Sequence, residues 1–283
     1  MMNITFLTDI FIDSLRDGLT LFPFLFIAYA VLEYLERYSS EKTLGMIAKA
    51  RKTGPFIGAI CGLLPQCGFA AAAANLFAAK VISLGTLVAV FMTTSDELLP
   101  ILLSNSVPIA VIAKIVGIKF VIGVFFGYLC MFFIQKKQQV MDIESLCEKE
   151  DCHCAGSGII RPALYHAIKI TIFVWGITLI INFIWQIAGN NWQHNTLLQH
   201  CLFGPIISAI IGLLPNCSVS VALSQMWVEG VISMGSLIAG LSSGAGVGLL
   251  VLFRVNANRK ENIAIVIMLY LFAVIAGVLI EIF

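Results

Sequence analysis

Charge is scarce in this chain. Asp, Glu, Lys and Arg make up 12% of its 283 residues, about half of the ~25% usual in a soluble domain, and 59% of the residues are hydrophobic. Several uncharged runs exceed the ~18 residues that mark a membrane helix. An ordinary soluble domain is excluded, and an all-α integral membrane protein crossing the bilayer several times is expected. The charges that remain nearly cancel, to a formal +1, so nothing in the composition calls for nucleic acid as a partner. The N-terminus lacks a basic segment ahead of an apolar one. Asp9, Asp13, Arg16 and Asp17 interrupt it, so no removable signal peptide is expected. The phosphate-binding pattern G-x-x-x-x-G-K-[ST] is missing too, and no ATP-driven step is expected. The eight cysteines do not read as an extracellular disulfide set. Cys61, Cys67, Cys130, Cys201 and Cys217 lie in or beside apolar segments, and the other three share one polar stretch.

What is present is a repeat. Residues 54–67 read GPFIGAICGLLPQC and residues 204–217 read GPIISAIIGLLPNC, identical at ten of fourteen positions. The register continues without a gap to VISLGTL at 81–87 and VISMGSL at 231–237, which implies two structurally equivalent halves. Within each copy, Gly-Leu-Leu-Pro-polar-Cys breaks an apolar run. Proline removes a helix donor and clashes with the preceding turn. In lipid, non-helical backbone is tolerated only inside protein or beside a water-filled cavity. Paired, interrupted apolar segments in two halves point to a transporter binding site. The alternative is two kinked helices packed through Gly and Pro, with no ligand.

Taken in order, residues 1–17 suit a short amphipathic helix and Gly18–Leu35 a first span. Residues 54–79 are apolar and contain the Pro65 break, 81–103 are apolar with Asp96 and Glu97 inside, and Lys114–Ile134 is a further span. Residues 135–161 are the one long polar stretch. They divide a first membrane repeat (1–134) from a second (162–283), where Pro162–Ala188, 204–229, 231–252 and Asn262–Phe283 follow. Loop 37–53 has five Lys/Arg and its counterpart 187–203 none, whereas loop 104–113 has none and its counterpart 254–263 three. Opposite charge bias in equivalent loops implies opposite orientation of the halves, an inverted-topology repeat.

From 37–53 inside to 104–113 outside, the chain must cross an odd number of times, yet two apolar segments intervene. One is therefore expected to enter and leave by the same face. The better candidate is 54–79, whose arms of ~11 residues span about 16 Å, half of a ~30 Å hydrocarbon core. The alternative makes 54–79 a kinked span and 81–103 the broken element. The expected architecture is six full spans plus two re-entrant hairpins, with linker 135–161 cytoplasmic. Under it, fourteen of the seventeen Lys/Arg lie at the cytoplasmic side, and Arg16, Lys114 and Lys119 are the exceptions.

The paired GLLPQC and GLLPNC motifs, TTSDELLP at 93–100, and a cysteine-containing central linker followed by HAIK at 166–169 carry a resemblance over nearly the whole chain. It resembles a family of bacterial and archaeal permeases described as ten-segment heavy-metal exporters, whose members are called arsenic efflux proteins or manganese transporters. Six spans and two hairpins of two arms each also make ten segments. The resemblance implies a multi-pass inner-membrane permease for a metal or metalloid ion, exporting rather than importing, not an enzyme and without a cofactor. Gly68 follows the first motif cysteine but Ser218 the second, so the two tips need not share a geometry.

Cys67 and Cys217 stand at the expected tips. A thiolate there suits zinc, copper(I) or trivalent arsenic better than manganese, and Gln66 and Asn216 add carbonyl oxygens. A buried free cysteine is also an ordinary small hydrophobe. Asp96 and Glu97 are adjacent acids inside an expected span, where ionisable groups mark ion paths or proton relays; an exposed helix end is the plainer reading. Ser95, Thr93, Thr94, Ser242 and Ser243 are weaker candidates, since membrane hydroxyls often only bond backbone. Cys147, Cys152, His153 and Cys154, among Glu148, Glu150 and Asp151, offer metal-ligand types without zinc-finger spacing. A solvated acidic loop is the rival. His166 and Lys169 stand at an entrance or merely snorkel.

The implied partners are the lipid bilayer, a metal or metalloid ion and a coupling proton or cation, with a homo-oligomer left open. The expected mechanism is alternating access around a midplane site. A permease for a small organic solute or anion is the nearest alternative. An intramembrane enzyme or assembly factor using Asp96, Glu97 and His166 is the alternative of another class.

Overall fold

The computed structural model of the chain describes residues 41–64, 67–94, 98–133, 160–188, 203–215 and 217–282, with scattered positions between 15 and 30. Every regular element among them is helical. In chain order these are α1 (Glu41–Gly62), α2 (Cys67–Ala78), α3 (Leu84–Thr93), α4 (Leu98–Ser104), α5 (Ile109–Phe133), α6 (Ile160–Ala188), α7 (Phe203–Gly212), α8 (Cys217–Val228), α9 (Met234–Ser243), α10 (Val247–Val255) and α11 (Arg259–Ile282). Segments Leu84–Ser104, Ile109–Phe133, Met234–Val255 and Arg259–Ile282 are long and apolar enough to cross a membrane. Residues 135–159 of the linker and 189–202 of the 187–203 loop lie outside the described residues, whereas the expected 37–53 loop is helical from Glu41 on, as the start of α1.

Helix α11 explains itself as a membrane helix. Asn262, Ile265, Leu269, Ala273, Ala276 and Gly277 are buried, while Ile263, Ile267, Leu271, Ile275 and Leu279 form an exposed row at four-residue spacing. A helix apolar on both faces belongs in lipid, because no polar face remains for water. Helix α5 buries Ile112, Ile115, Lys119, Gly123, Phe126 and Gly127. Each lies 150 positions before a buried residue of α11.

The helices of each half are held together by small residues. A Cβ on Gly54 would meet Thr86 of α3, and one on Gly62 would meet Thr93. Helices α1 and α3 thus run in the same direction, so α2 between them runs back. A Cβ on Gly85 would meet the Gly127 carbonyl, and one on Gly123 would meet Thr93, so α5 is antiparallel to α3. The same pattern returns in the second half: Gly212 abuts Gly240 and Ser243, Gly235 abuts Gly277, and Gly277 abuts Ala239 and Pro205. Small residues every fourth position let backbones approach closely, which is how membrane helices associate without a hydrophobic driving force.

Between the halves the contacts are reciprocal. Helix α2 packs along α10, and α8 packs along α4. The alanine face Ala70, Ala71, Ala73 and Ala74 of α2 joins Val247, Leu249, Val251 and Leu252 of α10 in one buried cluster. Leu98 and Leu102 of α4 join Val219 and Leu223 of α8 in another. Asn75 in α2 is satisfied locally: its amide donates to the Ala71 carbonyl at 3.0 Å, and its side-chain oxygen accepts from the Tyr29 hydroxyl at 2.9 Å.

The sequence left open whether 54–79 or 81–103 is the broken element. Both are interrupted. Helix α1 stops at Gly62 and α2 starts at Cys67, and α3 stops at Thr93 and α4 starts at Leu98. The first break follows from Pro65. At the second, Thr94 turns to φ −56° and ψ 133°, and the Thr94 hydroxyl donates to the Val90 carbonyl at 2.7 Å, a side chain competing with the helix ladder. The equivalent break after α9 rests on glycine: Gly246 has φ +49°, a conformation that a side chain disfavours.

The candidate site where the interrupted helices meet

Helix α3 has ten residues, a rise of about 15 Å. Its end at Thr93 lies against Gly62, the last residue of α1. The first turn between α1 and α2 and the break between α3 and α4 therefore start at the same height. In the second half the arrangement recurs. Gly212, the last residue of α7, lies against Ser243, the last residue of α9. Ser243 reinforces this contact, its hydroxyl donating to the Ala209 carbonyl of α7 at 2.8 Å and to Gly240 at 3.0 Å.

Lys119 joins the two arrangements. It stands in the middle of α5, is fully buried, and its ammonium donates to the Thr94 carbonyl at 2.7 Å and the Leu241 carbonyl at 3.0 Å. Thr94 caps α3 in one half and Leu241 lies in the last turn of α9 in the other. The ends of two interrupted helices, one from each half, are thus bridged by one charge. Sequence reasoning passed over Lys119 except as a misfit in the charge count. The signal that could have found it is a charge near the centre of an apolar helix, where position 269 of the other half is Leu.

The expected site residues distribute as follows. Cys67 is the first residue of α2 and Cys217 the first of α8, and His166 lies near the start of α6. Ser242 and Ser243 are fully buried at the end of α9. Ser243 bonds to backbone, as the plainer reading held, whereas the Ser242 hydroxyl has no hydrogen-bond partner among the described residues. Thr93 donates to the Ala89 carbonyl at 2.8 Å. Gln66, Ser95, Asp96, Glu97, Cys147, Cys152, His153, Cys154 and Asn216 lie outside the described residues. Among the described residues, no three His, Cys, Asp or Glu gather as a metal cage would require.

A separate cleft of about 310 Å³ lies between α1, α2 and α3, lined by Cys61, Phe69, Ala73, Leu76, Ser83 and Thr86 among others. The Ser83 and Thr86 hydroxyls bond each other at 2.9 Å, and no lining residue is charged. It does not suit a bare ion.

Four helical segments long and apolar enough to cross a bilayer, two of them interrupted along their length, define a multi-pass membrane protein. The chain belongs to the family described as "Putative, 10TM heavy-metal exporter", whose model matches residues 6–198. That match covers the first copy of the repeat and the linker. Neither the curated proteins nor the solved structures give a match.

Proposed function

We propose that the protein is a permease that moves a metal or metalloid ion out of the cell by alternating access between two inverted halves. The observation that carries this reading is the bridging of the α3 and α9 ends at Lys119. Reciprocal packing of α2 on α10 and α8 on α4 supports a pseudo-two-fold relation between halves. The opposite Lys/Arg bias of equivalent loops supports an axis in the membrane plane. On this reading α1–α2 and α7–α8 are re-entrant hairpins entering from opposite faces, beside six full spans, and linker 135–161 separates repeats 1–134 and 162–283 in the cytoplasm.

The substrate site lies at the paired tips. Cys67 and Cys217 supply sulfur, Gln66 and Asn216 carbonyl oxygen, and Asp96 or Glu97 carries the coupling proton or binds the cation. Ser95, Ser242 and Ser243 line the path. Cys147, Cys152, His153 and Cys154 load or sense metal, and His166 stands at the entrance. A thiol-rich centre favours trivalent arsenic, zinc or copper(I) over manganese, and the inner membrane is the setting.

The experiment is transport into vesicles with arsenite, Zn²⁺, Mn²⁺ and an oxyanion offered in parallel. Cys67→Ser and Cys217→Ser should each lower transport of the thiophilic substrate about tenfold or more, and the double variant should lose less than the product of the two, because residues of one site are non-additive. Wild-type rates in both single variants would return the cysteines to core packing.

A further inference from the structure

Helices α5 and α11 are equivalent in the repeat, and they also touch each other. At one end of the contact Phe126 stacks on Phe272 with ring centroids 4.4 Å apart, and the Cys130 thiol donates to the Met268 sulfur at 3.3 Å. The repeat register turns the stacked pair into Ala276 and Ile122 at the other end. An alanine thus stands where a phenylalanine ring fills the first end. The space is left as a groove of about 500 Å³, lined by Ile118, Val121, Ile122 and Phe125 of α5 and by Leu279 and Ile280 of α11 among others. Val121, Phe125 and Leu279 are exposed, so the groove opens outward, to lipid. From Lys114 to Phe125 it runs about 16 Å, half of a ~30 Å hydrocarbon core and so the depth of one leaflet. Lys114 is the one charged side chain among the lining residues. Glu281, the acid at the same end of α11, abuts Gly235 of α9 and does not line the groove.

We propose that this groove binds one anionic phospholipid of the surrounding bilayer, with an acyl chain along Ile118, Val121 and Leu279 and the headgroup phosphate on the Lys114 ammonium. The apolar lining suits hydrocarbon, and its length suits a chain of a single leaflet. Lys114 lies near the start of α5, where a lysine lifts its ammonium to headgroup level along its own apolar stem. A phosphate meets there a cation that no acid of the groove neutralises, and basic positions between membrane helices are where anionic headgroups are recognised. A second copy of the chain seated in the groove would instead bury Lys114 with no acid from the groove to pair it, which is costly. The site belongs to one end of the contact alone. The counterpart of Lys114 is Ala264, and the counterpart of the groove is filled by Phe126 and Phe272. The lipid thus takes the place of the missing ring between one helix of each half. This inference does not rest on the transport reading, because it is read in lipid binding.

The test uses full-length wild type, Lys114→Gln and Gly117→Phe, each reconstituted in phosphatidylcholine vesicles. The vesicles contain a trace of phospholipid with a photoreactive diazirine in one acyl chain and either a phosphatidylglycerol or a phosphatidylcholine headgroup. Cross-linked residues are mapped by mass spectrometry, with Ile263 and Ile267, exposed on α11 outside the groove, as the reference for bulk lipid. In wild type the phosphatidylglycerol probe should label 118–125 and 276–280 about fivefold more than the phosphatidylcholine probe, the worth of one lysine beside an anionic headgroup. Lys114→Gln should label these residues equally with both probes. A side chain at Gly117 meets nothing within 4 Å, so Gly117→Phe fills the groove without disturbing the fold, and its groove labelling should fall to the reference level with both probes. Equal labelling by the two probes in wild type overturns the proposal. So does a preference that survives Lys114→Gln, or groove labelling that survives Gly117→Phe. A groove that neither probe labels in wild type, while Val121→Cys cross-links one copy of the chain to another, overturns it in favour of a second copy.

Discussion

Gly62 shows how little room the packing leaves at single residues. A Cβ there would run into the Thr93 hydroxyl and the Val90 carbonyl, and the second contact is backbone and cannot rotate away. Gly62→Ala should therefore destabilise the protein by about 1–3 kcal/mol, the usual range for overpacking. Gly117, with nothing within 4 Å of its would-be Cβ, is the control. Gly117→Ala should be neutral or stabilising by up to about 1 kcal/mol, because alanine is the better helix former. Melting both variants in the same detergent checks the pair, and equal losses would mean that α1 does not press on α3. Lys119 makes the complementary point about charge. Its placement at the centre of a membrane helix costs roughly 2.5–3.5 kcal/mol on insertion scales, so its acceptors on two different helices are needed merely to keep it there.

Among the elements, the interrupted ones were legible in part. Pro65 and Pro215, repeated in register, announced the turns after α1 and α7 because proline acts locally. The second kind of break was not legible with the same clarity. Thr93, Thr94 and Ser95 read as ordinary membrane hydroxyls, and only the folded chain shows Thr94 capping α3 with its own side chain. Burial of Lys119 was hidden for a different reason. A lysine in an apolar run can snorkel to the interface, and the two carbonyls that hold it lie 25 and 122 positions away in the chain. The breaks of the two halves also differ. One carries Asp96 and Glu97; the other has Gly246 and Val247 at the equivalent positions. The proposed function gives that extra charge to the coupling proton or the cation. Asp96→Asn and Glu97→Gln keep size and hydrogen bonding. At least one of them should lower transport about a hundredfold or displace its pH profile, while the protein still inserts and melts as wild type does. Two variants with wild-type rate and profile would show that neither charge is used.

At the level of the whole molecule, the helix contacts and the charge distribution carry separate information about symmetry. The contacts give a reciprocal relation, α2 on α10 and α8 on α4, which any two-fold axis satisfies, whether it stands along the membrane normal or lies in its plane. The distribution of Lys and Arg distinguishes the two. An axis along the normal would put 37–53 and 187–203 on one face, yet the first has five Lys/Arg and the second none. Cytoplasmic segments collect Lys and Arg, so the proposed function puts these two segments on opposite faces and the axis in the plane. Thr53, exposed just before Gly54, and Gln193 in the uncharged loop are suitable reporters. Cysteines introduced as Thr53→Cys and Gln193→Cys should react with a membrane-impermeant maleimide, above the parent's background, from opposite sides. Thr53→Cys should label only in inside-out vesicles and Gln193→Cys only in intact cells. Labelling of both from one side would remove the inverted repeat. The reciprocal helix contacts would then belong to a parallel repeat about an axis along the membrane normal, and the two halves would have to rock about that axis instead.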